Sequence, residues 1–117
     1  MIASVDDVLA KLRRDFRAID LRGLPQIPPA ILYTRGLDDL YMESVLVRSE
    51  DDATAYRTRT DESDASIYGT GGLVWSSDGR LIDVFGQLLE LPHPSLPNAP
   101  RIVIPTPSAL WLPGSSR

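Results

Sequence analysis

The sequence predicts an α+β fold: an antiparallel sheet of about four to six strands with an N-terminal helix and a second helix packed on one face. Three observations lead there. All ten prolines fall in two clusters, Pro25 to Pro29 and Pro92 to Pro113, so residues 30–91 contain none. Proline fixes φ and lacks a donor, so that interval is where packed helices and central strands can form. Within it, runs of β-branched and alternating residues precede a stretch of helical period, and a stripe of apolar residues at helical spacing precedes it.

The 117 residues fit a single domain: an N-terminal helix over 1–23, an ordered centre over 30–91 and a proline-rich tail over 92–117 with short edge strands. In the helix, Val5, Val8, Leu9, Leu12, Phe16 and Ile19 recur at steps of three and four and form one apolar stripe. Ser4 can cap it, with Asp6 and Asp7 in the first turn, and Gly23 followed by Pro25 suits its end. Ile31, Leu32 and Tyr33 predict a short strand, and residues 36–40 a turn. Residues 43–48 have strand character from their β-branched content. Thr54, Tyr56, Thr58 and Thr60 alternate with Ala55, Arg57 and Arg59, a second strand. Ser49, Glu50, Asp51 and Asp52 between them suit a hairpin loop, with a short helix opening at Ser49 as the competing reading. Residues 61–66 read as an acidic loop and residues 67–75 as a strand with a bulge among Gly69, Gly71 and Gly72.

Residues 76–91 carry two signals. Asp78-Gly79 between apolar pairs suits a type I′ hairpin. Arg80, Asp83, Gln87 and Glu90, however, fall at steps of three and four among Leu81, Ile82, Val84, Phe85, Leu88 and Leu89, with Asp78 as N-cap and Pro92 as the stop. A strand here would be apolar on both faces, so helix is the better reading, with Gly86 costing about 1 kcal/mol and allowing close packing. Residues 101–104 and 109–112 are expected to be short edge strands between prolines, and the repeat of proline at 94, 97 and 100 has the period of polyproline II.

The net charge of −4 argues against nucleic acid as a partner, because phosphate binding needs a basic footprint. The charge is uneven: +2 over residues 1–35, −6 over 36–66 and 0 over 67–117. A basic partner would be steered to that middle third; a solvated, solubilising surface is the plainer reading. There is no cysteine, which excludes disulfides, thiolate zinc sites and cysteine nucleophiles. The acidic N-terminal residues do not resemble a secretion signal, and no apolar run reaches the ~20 residues of a membrane span. The cytoplasm is therefore the expected location. Arginine outnumbers lysine eleven to one, as a GC-rich bacterial genome would give.

No catalytic constellation emerges. His93 is the only histidine and lies between prolines, without an evident orienting partner. The acidic runs at 38–39, 50–52 and 61–64 lack the glycine and closing glutamate of a calcium loop. Glycines 69, 71 and 72 precede a strand, not a helix, and so do not form a phosphate cradle. Neither a cofactor nor a metal is expected. The leading expectation is a small, acidic, non-enzymatic protein-binding domain, accessory or chaperone- or immunity-like, with a homodimer as one form, and with Asp51, Asp52, Asp61 and Asp64 meeting a basic partner. Acidic secretion chaperones and immunity proteins share this size and charge. The alternative is a small-molecule or enzymatic pocket between sheet and helix, using Tyr33, Tyr56, Arg57 and Trp75. Arg57 and Arg59 lie on one strand face and could hold an anion or pair with the acidic loops.

Overall fold

The computed structural model describes residues 4–25, 29–38, 40–60, 72–102 and 104. The elements run α1 (Val5–Asp15), β1 (Arg17–Asp20), β2 (Ile31–Asp38), β3 (Tyr41–Ser49), β4 (Asp52–Arg59), β5 (Leu73–Gly79) and α2 (Leu81–Glu90). The five strands form one antiparallel sheet in chain order, β1-β2-β3-β4-β5. This is the α+β fold that the sequence predicts, with both helices on one face.

Helix α1 begins as expected: the Asp7 amide donates to Ser4 Oγ at 3.2 Å, and Asp6 and Asp7 complement the positive end of the helix dipole. It ends eight residues before Gly23. Phe16 turns to extended geometry (φ −120°, ψ 157°), and residues 17–20 form β1. The helical stripe misled because Ile19 also alternates with Leu21. That period-two pattern wins by pairing Ile19 with Leu32 of β2 and setting both residues in an apolar cluster. Gly23 still has a positive φ of 90°, but in the turn after β1. In the same turn Asp20 accepts from the Arg22 side chain at 2.7 and 2.9 Å and from its backbone N–H at 2.9 Å. The Arg22 guanidinium, then its backbone N–H, hold the Asp20 carboxyl down at about 2. A carboxyl lowered by folding stabilises the native state above its unfolded pKa of about 4, and that contribution is lost as pH falls through the folded value. An NMR titration of Asp20 should therefore have its midpoint near 2. Asp20→Asn should remove the corresponding part of the acid sensitivity; a midpoint at the free-carboxylate value would contradict the pairing.

Strand β2 continues through the expected turn to Asp38, with a register irregularity between Gly36 and Asp38. The predicted hairpin around residues 49–52 forms, and no helix opens at Ser49. Residues 67–71 of the expected fourth strand lie outside the described residues, and β5 extends further along the chain than expected, to Gly79. Asp78 does not cap α2. It accepts from Thr54 Oγ1 across the sheet, while Arg80 occupies the N-cap position without a side-chain cap. The Leu81 amide at the start of α2 is instead satisfied by the Glu50 carbonyl of the hairpin at 2.9 Å.

Side chains alternate across the sheet. Tyr33, Val45, Ala53 and Ala55 meet Val8 and Leu12 of α1, Phe16 just after it, and Leu81, Val84, Phe85 and Leu88 of α2 in the main core. Ala53 and Ala55 are small, which lets α2 sit close to β4. Leu32, Leu46, Tyr56 and Leu73, with Leu21 and Ala30, form a second buried cluster on the opposite face.

The tail departs from expectation. His93 to Ala99 turns back on itself, with Leu96 N–H donating to His93 O at 2.9 Å and Ala99 N–H to Leu96 O at 3.1 Å. Polyproline II makes no such internal bonds. Arg101 and Ile102 lie outside any strand; the Arg101 side chain reaches back to the carbonyls of Pro94 (2.8 Å) and Leu96 (2.9 Å), and the expected edge segment meets β5 through the Ile104 amide, which donates to Leu73 O at 2.7 Å. The expected strand at 109–112 lies outside the described residues. No helix among the described residues is long and apolar enough to cross a membrane.

Candidate functional site

The register of the sheet places Arg35, Glu43, Arg57 and Trp75 in one row across β2, β3, β4 and β5, on the helix-bearing face. Glu43 stands between the two guanidiniums. Its Oε1 accepts from Arg35 Nε at 3.1 Å and Nη2 at 2.8 Å, and its Oε2 accepts from Arg57 Nη2 at 2.7 Å. Arg57 is 1% exposed and Glu43 2%. Arg57 Nη1 also donates to the Pro92 carbonyl at 2.7 Å, tying the exit of α2 to the sheet. Arg57 Nε has no hydrogen-bond partner among the described residues. Arg35 is half-buried, with its guanidinium carbon 4.6 Å from the centre of the Phe16 ring.

Arg57 is therefore buried and paired with Glu43 inside the fold, not with the acidic loops. Both oxygens of Glu43 are taken by guanidinium donors, so the trio clamps three strands and two helices and presents no free acid or base. The turn at residues 49–52 would by itself set Glu43 opposite Thr58; a register shift between Val47 and Ser49 moves the pairing by one residue and sets Glu43 opposite Arg57, where facing opposite charges attract.

Of the residues expected to line a pocket, Arg57 and Trp75 are neighbours in this row, and Tyr33 lies on the same face two residues along β2 from Arg35. Tyr56 lies on the other face, fully buried, where burial pushes its hydroxyl pKa up against the opposing effect of a Ser44 hydrogen bond. The four do not converge. The space beneath the helices is filled by Tyr33, Val45, Ala55 and Phe85, all buried.

His93 is exposed, and its Nδ1 meets Ser95 Oγ at 2.9 Å and the Ser95 amide at 3.2 Å, a local turn without a carboxylate to orient it. Among the described residues no group of three or more His, Asp or Glu side chains could hold a metal ion.

Two surface features remain. The first is an acidic end, where the β3–β4 turn, the end of β5 and the start of α2 come together. Glu50, Asp51, Asp52, Asp78 and Asp83 are all exposed there. Arg48 pairs with Asp52 at 3.0 Å, and Arg80 pairs with Asp83 at 3.0 Å. Asp83 first, and Asp51 more weakly, raise the pKa of Arg80. Asp61 and Asp64 lie outside the described residues. The second feature, which the sequence did not reveal, is an open groove of about 690 Å³ between α1 and α2, with Ala10, Ile82, Gly86 and Leu89 among its lining residues. The close packing expected of Gly86 is absent among the described residues: a Cβ built on it meets no atom within 4 Å. No family model, no curated protein and no solved structure matches this chain.

Proposed function

We propose that this chain is a small protein-binding domain that performs no chemistry and receives a basic partner at its acidic end. The observation that carries the reading is the convergence of hairpin, sheet and helix on one exposed patch. The Leu81–Glu50 backbone bond holds Glu50, Asp51 and Asp52 at the start of α2, near Asp78 and Asp83, and among the described residues Arg48 pairs with Asp52 and Arg80 with Asp83. Carboxylates on a fixed framework bind a cationic surface without first having to be ordered. The reading also draws on the absence, among the described residues, of convergent polar groups free for catalysis, since Glu43 and Arg57 satisfy one another inside the fold. The role is that of an accessory, chaperone- or immunity-like protein in the cytoplasm, with Asp61 and Asp64 as further candidate contacts and nucleic acid repelled by the net charge. A pocket built on Tyr33, Tyr56, Arg57 and Trp75 gains no support from residues that face opposite sides of the sheet.

The test begins with affinity capture on the purified chain, and the captured protein is then made recombinantly. Its affinity is measured for the parent and for Asp51→Asn/Asp52→Asn. Loss of two rim charges should weaken binding about tenfold, equivalent to about 1.4 kcal/mol, mainly through slower association, with a shallower salt dependence. Equal affinity and equal salt dependence for the two chains would refute the acidic end as the binding surface.

A further inference from the structure

Gly86 sits in the interior of α2, half-buried, where glycine costs the helix about 1 kcal/mol relative to alanine. A Cβ built on it meets no atom within 4 Å, and its φ is not positive. The fold of one copy thus neither needs glycine there for space nor for backbone geometry. A close approach by a second body does need it. Gly86 lines the groove between the helices, with Ile82 on one side and Leu89, 37% exposed, on the other. Across the groove α1 contributes Ala10, flanked by Asp7 and Arg14. Asp7, Ala10 and Arg14 are exposed, and Asp15 pairs with both Arg14, at 3.3 Å, and Lys11, at 3.2 Å.

The pattern is complementary to itself. Asp7 and Arg14 are seven positions apart on α1, and Ile82 and Leu89 are seven apart on α2, in each case a separation of about 10 Å along a helix. A two-fold axis crossing the helices near Ala10 and Gly86 sets Asp7 against Arg14 of the partner subunit, and Arg14 against Asp7 of the partner subunit. The same axis sets Ile82 against Leu89 of the partner subunit and brings the two glycines together. We propose that two copies of this chain associate face to face through this helix layer, antiparallel, with Gly86 at the crossing. An isologous contact demands this kind of surface, in which one patch supplies both halves of each pair. The proposal deepens the reading of the chain as a binding domain by naming one partner, a second copy. It occupies a different surface, so its failure would leave a basic partner at Asp51 and Asp52 untouched.

Sedimentation and light scattering of the purified chain up to millimolar concentration should show a monomer–dimer equilibrium. Gly86→Ala should raise the midpoint of thermal unfolding in dilute solution, yet weaken dimerisation at least tenfold. A merely structural glycine would not divide the two readouts in this way. Asp7→Arg and Arg14→Asp should each be monomeric alone, because like charges then face one another, and should form a heterodimer when mixed, because both pairs are restored. A chain that stays monomeric throughout the range overturns the proposal. So does a dimer that Gly86→Ala and both single charge reversals leave intact, or a failure of the two reversed chains to pair.

Discussion

Glu43→Gln is expected to destabilise the fold by about 3–5 kcal/mol, because it removes the carboxylate that sits between two guanidiniums, one of them fully buried. Glutamine keeps the shape and one acceptor oxygen, so the loss isolates charge rather than packing. Arg57, 1% exposed with Nε already unpartnered, would be left with the Pro92 carbonyl as its other acceptor among the bonds described above. The penalty belongs to breaking the trio, not to lacking it. Replacing all three together, Arg35→Met/Glu43→Leu/Arg57→Met, should cost less than about 1 kcal/mol or even stabilise, since apolar groups of similar volume have no desolvation to repay. Urea unfolding of the two variants beside the parent decides the matter. A Glu43→Gln loss below about 1 kcal/mol would mean the charges are better solvated than their burial implies.

Phe85→Ala should cost about 3–5 kcal/mol by another route, a cavity at the point where both helices meet the sheet. Phe85 is fully buried, and its ring meets that of Phe16 edge-on, with centroids 6.0 Å apart and planes at 65°. Phe16 also carries the Arg35 guanidinium over its face, so truncation loosens α1, α2 and the charged row together. For a domain of this size the melting temperature should fall by about 15 °C or more, read by calorimetry. Leu89→Ala, at the partly exposed edge of the same helix, should stay within about 1 kcal/mol in dilute solution and serves as the control.

The fold was largely legible because its signals were local. The apolar stripe with its Ser4 cap located α1, the threonine alternation located β4, and a strand apolar on both faces was a reason to choose helix for residues 81–90. Errors arose where one residue satisfied two periods. Ile19 fits a helix through Phe16 and a strand through Leu21, and only its pairing with Leu32 decides between them. Asp78 fits an N-cap, but Thr54 on the neighbouring strand takes its carboxylate first. The candidate site was less legible for the same physical reason. That Glu43 meets Arg57 depends on the register shift between Val47 and Ser49, that Arg35 joins them depends on β2 continuing past its expected end, and the facing of α1 toward α2 is a tertiary matter. Tyr33 and Tyr56 looked equivalent as aromatic strand residues, yet their opposite parity sends them to opposite sides of the sheet.

The order β1-β2-β3-β4-β5 means that every strand finds its partner in the next segment of chain, with no crossover to search for. Such topologies have low contact order and fold quickly, the tight β3–β4 hairpin being able to zip in about 1–10 μs. On the ribosome, β2, β3 and β4 would emerge and pair before α2 has been synthesised. Helix α2 would then dock onto a preformed surface, and the Arg57–Pro92 contact would close as a latch once the stretch after α2 has been made.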